Sequence, residues 1–162
     1  MPLFLLFTVE MGERFRYYGM RALLIFYLSK HCIDGGLALD PQSANLIYGL
    51  FTGLVYFTPL IGGWIADNYI GQRKSISIGA FLMMMGQFAL ASSQSFFALY
   101  LGLTLLILGN GFFKPNISVL VGQLYEHDRS KLDSAFTIFY MGINLGALFA
   151  PLVTGFLAMK YN

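Results

Sequence analysis

Charge is what this sequence has least of. Only 11% of its 162 residues are Asp, Glu, Lys or Arg, against about a quarter in a soluble domain. That shortfall excludes a soluble enzyme domain, and so apolar a composition excludes a disordered chain. The charge that is present has almost no bias. Ten basic and eight acidic residues leave +2, scattered along the chain, which excludes a basic face for nucleic acid. Cysteine is absent but for Cys32, which excludes an internal disulfide and any multi-cysteine metal site. His31 beside Cys32 makes two ligands in one loop, too few for a metal. No phosphate-binding glycine loop and no catalytic-triad spacing is visible, so neither an enzyme nor a cofactor is expected.

What is abundant is apolar length. Hydrophobic residues make up 57% of the chain, with 16 Phe, 10 Tyr and 18 Gly. A helix needs about 20 residues to cross the hydrocarbon core. Five candidate spans run over 8–30, 44–66, 75–93, 95–122 and 134–158, the fold class being an all-α polytopic membrane bundle. Charges interrupt the first span, so hydropathy alone leaves it marginal. The N-terminus has no basic region and no A-x-A site, so no cleavable signal peptide is expected. The loop 67–74 carries Arg73 and Lys74, and the loop 123–133 carries Arg129 and Lys131. Basic loops stay in the cytoplasm, which places the N-terminus inside and makes the chain a multi-pass protein of the cytoplasmic (inner) membrane. Five spans then end outside, an odd count that predicts a chain cut short.

Two segments repeat. FTPLIGGWIA at 57–66 and FAPLVTGFLA at 149–158 agree at five of ten positions, at an offset of 92, and Tyr48 falls on Tyr140 at the same offset. Span two thus resembles span five. Three helices per copy make the second copy start from the opposite side, an inverted repeat of the kind found in secondary transporters. Its third helix is missing. Chance likeness between two apolar helices rich in Gly and Pro is the alternative.

Ionisable residues inside a span are costly and mark function by default. Span one holds Glu10, Glu13, Arg14, Arg16 and Arg21. At about 100° per residue, Glu10, Glu13, Arg14, Tyr17, Tyr18 and Arg21 share an arc of roughly 140°, while Arg16 falls about 120° from Glu10, off that face. One stripe therefore carries two carboxylates, two guanidiniums and two phenols. It must face a water-filled cavity or partner charges. Glu10 and Arg14, four apart, can pair. Burial raises a carboxylate's affinity for a proton and nearby cations lower it, which is the physical basis of a proton switch. Arginine forks also suit a substrate carboxylate. An interfacial salt-bridge cluster is the alternative.

Span four holds Lys114 within GNGFFKPNIS, too deep to reach an interface easily. Glu10 or Glu13 is its expected partner. Pro115 should kink or loosen the helix there, and Gly109 and Gly111 allow close packing. Arg21 and Lys114 occupy nearly matching places in the two repeats. In span five Asn144 reads as a buried amide that either bonds a peptide backbone or ties two helices together. Asp67 should cap span two and pair with Arg73 or with loop groups of spans four and five. His127 reads as solvated, Met83 to Met85 as packing, and Trp64 as lying near the inner interface.

These same residues carry a family resemblance. EMGERFRYYGMRALL (10–24) resembles the E-x-x-E-R-F motif of the proton-dependent oligopeptide transporters, a branch of the major facilitator superfamily. GGWIADNYIGQRK (62–74) resembles that family's loop between helices two and three. It also fits the wider superfamily pattern through Gly63, Asp67, Gly71, Arg73 and Lys74. GNGFFKPNIS (109–118) and FTIFYMGINLG (136–146) resemble the motifs of helices four and five. The resemblance covers the whole chain in family order. Gly12 stands where many members have Trp, Arg16 where many have Ser, and Gly49 where animal members have His, which makes the chain resemble the bacterial type.

The resemblance implies a major facilitator-type N-terminal bundle that symports di- or tripeptides with protons. It implies proton coupling by Glu10, Glu13, Arg14 and Lys114, with the proton as coupling ion. It implies peptide binding by Arg14, Tyr17, Tyr18, Arg21, Tyr56, Lys114 and Asn144, and gating by the loop residues Gly63, Asp67, Gly71, Arg73 and Lys74. The partners implied are the peptide, the lipid bilayer and a C-terminal transporter half that is absent. Transport of nitrate or another small anion is one alternative. A truncated fragment without transport is the other.

Overall fold

In the computed structural model, which describes residues 2–31, 33 and 35–161, five long helices follow one another. They are α1 (Pro2–Ser29), α2 (Pro41–Ile65), α3 (Gln72–Ser92), α4 (Phe96–Leu124) and α5 (Leu132–Tyr161). No strand occurs among the described residues. Four helical stretches are long and apolar enough to cross a membrane: Pro41–Ile70, Gln72–Ser92, Phe96–Leu124 and Arg129–Lys160. The fifth, α1, has the length but not the hydropathy, because its middle carries the charges. It begins at Pro2, six residues before the expected start at 8, and proline is well suited to a first helical position because its missing N–H has no partner there. Cys32 lies outside the described residues.

The helix ends explain the short connections. After α1 the chain folds back on its own last turn. The amides of Gly36, Leu37, Ala38 and Leu39 donate to the carbonyls of His31, Tyr27, Lys30 and Leu28. The carbonyls of Tyr27 and Leu28, in the last turn, are acceptors that a helix end leaves open. Asp40 then caps α2, its carboxylate accepting from the Ser43 amide at 3.0 Å, with Pro41 in the first turn. The expected loop 67–74 hardly exists. A π-helical turn, Ala66–Ile70, continues α2, and Gly71 alone separates it from α3. Gly71 has φ 75°, a conformation that favours glycine. Its amide closes the π turn onto the Ala66 carbonyl.

By its contacts the chain divides into two units. One is Met1–Phe26 with Leu120–Asn162, and the other is Tyr27–Val119. Each is held by close-packed small residues, as expected where lipid competes equally for apolar side chains. In the first unit, α5 presents Gly142, Gly146, Ala150 and Thr154, one every four residues, to α1. A side chain on Gly142 would strike Phe7, and one on Gly146 would strike Met11, Arg14 and Phe15. From the other side, Gly19 sits against Thr154 and Ala150. In the second unit, α3 and α4 meet through two glycine pairs, Gly79 with Gly109 and Gly86 with Gly102. The pairs are seven residues apart on each helix and run in opposite directions. Met83 lies between them and is buried, while Met84 and Met85 are exposed.

The seam between α2 and α4 is built on prolines. Pro59 has no N–H, so the carbonyl four residues earlier, Val55, has no ordinary helical donor. Asn110 of α4 supplies one, its amide nitrogen lying 3.0 Å from that carbonyl. Pro115 leaves the Gly111 carbonyl in the same condition. That carbonyl lies against Gly62 of α2, where a side chain would collide with it. The Thr58 hydroxyl adds a bond to the Ile107 carbonyl at 3.1 Å. Neighbouring groups thus meet backbone atoms that proline frees, which is what allows proline inside a membrane helix. α4 runs on as one helix through Pro115, and α2 likewise through Pro59.

Candidate functional site

The polar stripe of α1 folds into an ion cluster. Glu10, Glu13 and Arg14 are 2%, 6% and 5% exposed. Arg14 Nε lies 3.0 Å from Glu10 Oε1, and Arg14 Nη2 contacts Glu13 Oε2. Arg16 Nη2 donates to Glu13 Oε1 at 2.8 Å. These contacts join two carboxylates to two guanidiniums. The pairing matters because a lone ion removed from water costs on the order of several kcal/mol, and mutual pairing offsets that cost.

Aromatic rings continue the stripe. The Arg14 guanidinium lies 5.6 Å from the centre of the Tyr17 ring, a cation–π contact. Tyr17 is buried and meets Tyr18 edge to face at 5.3 Å. Gly146 of α5 packs beneath this point, where a side chain would come within 2.9 Å of Arg14 Cβ. The seam therefore sets how deeply the guanidinium sits. Arg21, one turn beyond Tyr17, is half-buried.

Arg16 is the first correction. The helical angle puts it off the stripe, yet the structure brings it into the cluster through Glu13. The angle locates the start of a side chain, and arginine's long stem reaches around the helix from there.

Asn144 is the second. It is exposed, not buried, in this chain. The small residues of α5 that pack on α1 are Gly142 and Gly146, which turns Asn144 to the opposite side of the helix. Tyr140, Met141 and Leu148 are exposed as well.

In the second unit, the Lys114 ammonium lies over the Tyr56 ring, 4.8 Å from its centre. Lys114 is half-buried and Tyr56 is 56% exposed. The residues of the loop motif occupy the tight turn after α2. Gly63 packs on Pro115, and Gly71 takes the positive φ. Arg73 and Lys74 are exposed in the first turn of α3. Asp67 is the third correction. It lies inside the π turn and accepts from the Gln72 side chain at 2.9 Å, rather than pairing with Arg73.

Residues 73–162 match the profile of the POT family. The chain belongs to the POT family. Its relatives include an uncharacterised transporter of Bacillus subtilis (strain 168), 47% identical over 99% of this chain and 32% of its own length. A di-/tripeptide transporter of Lactococcus lactis subsp. lactis is 43% identical over 97% of the chain and 32% of its own. Among solved structures, the peptide transporter POT in complex with sulfate superposes with a TM-score of 0.95 at 46% identity, over 99% of this chain and 32% of that one. The chain thus spans about a third of the length of the relatives it matches. The match begins at Arg73, so the ion cluster of α1 precedes the matched region.

Asn110, Pro59 and the glycine seam of α5 were not singled out as a connected set by sequence reasoning. The four-residue interval of Gly142, Gly146 and Ala150 was the available signal.

Proposed function

We propose that this chain is the N-terminal part of a proton-coupled symporter of di- and tripeptides in the cytoplasmic membrane, with its N-terminus inside. The observation that carries the reading is the buried cluster of paired carboxylates and guanidiniums on α1. Adding one proton to Glu10 or Glu13 makes that cluster one charge more positive. The surplus positive charge then favours an anionic group, and a peptide's carboxylate is one. Release of the peptide favours loss of the proton for the same reason. Proton and peptide are coupled because both settle the same charge sum.

In this reading Glu10 and Glu13 take the proton. Arg14, Arg21 and Lys114 receive the peptide carboxylate, and Tyr17, Tyr18 and Tyr56 line its side chains. Asn144, exposed on α5, bonds the peptide backbone, while Gly63, Asp67, Gly71, Arg73 and Lys74 form a cytoplasmic gating turn. The five helices belong to an inverted three-helix repeat, and a second transporter half completes the pocket. The likeness to di-/tripeptide transporters supports the substrate class.

The test is accumulation of a labelled dipeptide in proteoliposomes holding the complete transporter, driven by an inside-alkaline pH gradient. Wild type concentrates the peptide and Lys114→Ala abolishes accumulation. Retained proton-driven accumulation by Lys114→Ala overturns the mechanism. Uptake blocked by nitrate but not by unlabelled dipeptide overturns the substrate class.

A further inference from the structure

Two contacts join α2 and α4 at adjacent places. Asn110 donates to the Val55 carbonyl at 3.0 Å, and Lys114 lies over the ring of Tyr56, the next residue in α2. Asn110 and Lys114 are one helical turn apart and so share a face of α4. Asn110 is 1% exposed. The Val55 carbonyl is available to it because Pro59 has no N–H to give. Lys114 is a mobile charge on a flexible stem. The amide bond beside it is neutral and does not change with protonation.

We infer that Asn110 is a positioning residue for Lys114, fixing the register of α4 on α2 through the carbonyl that Pro59 frees. The inference rests on the peptide-transport reading for its kinetic consequence, but its structural claim stands by itself. Thr58 and the Gly62–Gly111 contact form a second line of the same seam and hold the two helices together. That line is formed by Thr58, Ile107, Gly62 and Gly111, none of which is next in sequence to Lys114 or Tyr56. Asn110 ties α4 one turn before Lys114 to the residue next to Tyr56. In the transport reading Lys114 receives the peptide carboxylate, and this tie holds the base of its stem in one place.

A plain structural role predicts something different: Asn110 would only satisfy a stranded carbonyl. The two are separable because Pro59→Ala restores a donor to Val55 from within α2 without restoring the cross-helix tie. Asn110→Leu, Pro59→Ala and the double variant are made in the complete transporter. Thermal unfolding, dipeptide KM and kcat, the pH profile of uptake, and the rate of Lys114 acylation against pH are measured. Asn110→Leu lowers the unfolding midpoint, and the double variant recovers it. The double variant nonetheless keeps a KM raised about tenfold, with kcat little changed, and a displaced pH profile.

Recovery of KM and pH profile together with stability shows that Asn110 only fills a carbonyl and overturns the inference. So does an Asn110→Leu variant with wild-type KM and pH profile. A double variant that melts no better than Asn110→Leu shows that the Val55 carbonyl is not what Asn110 serves, and this too overturns the inference. If wild type moves no dipeptide, the functional reading fails first. Lys114 acylation then decides: equal rates in wild type and double variant overturn the positioning role, and unequal rates support it.

Discussion

The two units bury polar groups in opposite ways. Around α1, four ionised side chains share one site and pair with each other. Between α2 and α4, the buried polar partners are an amide, a hydroxyl and backbone carbonyls. Both arrangements solve the same problem, polar atoms removed from water. They differ in what a proton does to them. The ionic site changes its charge sum when one carboxylate is protonated, whereas the amide–carbonyl site does not titrate. On the proposed function, the ionic site is the part that responds to protons and the amide–carbonyl site the part that does not.

The helix seams offer a control, because both units use the same device. Gly146→Leu in the first unit and Gly79→Leu in the second should be equally severe. Each would drive a side chain into backbone across the seam, at Met11 and Phe15 in one case and at Gly109 and Phe113 in the other. Overpacking a well-packed core costs about 1–3 kcal/mol or more. A backbone that has no room to move puts these two at or above the upper end. The expected outcome is loss of monodisperse protein in size-exclusion chromatography for both. If only Gly79→Leu fails, the α1–α5 seam accommodates a side chain that the α3–α4 seam does not.

The next effect sharpens the contrast itself. Glu13→Leu removes the carboxylate that holds both Arg14 and Arg16. Breaking one side of a buried ion pair costs on the order of 3–5 kcal/mol. Glu13→Leu with Arg16→Leu removes one charge of each sign and leaves the Glu10–Arg14 pair. The double variant should therefore be more stable than Glu13→Leu alone, read as thermal unfolding of the complete transporter. If the single and double variants melt alike, the four charges do not act as one group. The contrast between the units then loses its basis.

How far the sequence carries this picture varies with the kind of contact. Glu10, Glu13, Arg14 and Tyr17 lie close in the chain, and helical spacing alone places them together. Arg16 escapes that logic because its stem is long. Asn144 escapes it because the facing of α5 depends on which stripe meets α1. Asp67 finds Gln72 because a π turn replaces the expected loop, a change of backbone that no spacing rule anticipates. Pro59 announces that the Val55 carbonyl lacks a donor, but not what supplies one. That answer comes from the register of two helices whose bonded residues lie 55 apart in the sequence, and only packing fixes it.

The smallest expected effect lies outside both buried sites, at the start of α2. Asp40 caps this helix through the Ser43 amide, and that bond holds its carboxyl below the usual aspartate range. The group binds its proton less readily when folded than when unfolded. Its contribution is therefore full above the unfolded value and is lost as pH falls through the folded one. Asp40→Asn keeps a cap acceptor but cannot titrate, and Asp40→Ala removes the acceptor altogether. Near neutral pH the unfolding midpoint should fall for Asp40→Ala and change little for Asp40→Asn. On acidification through the carboxylate range, wild type should lose more than Asp40→Asn, because only wild type surrenders its charged cap. Equal acid loss in the two would mean that the cap's pH dependence is not felt by the fold.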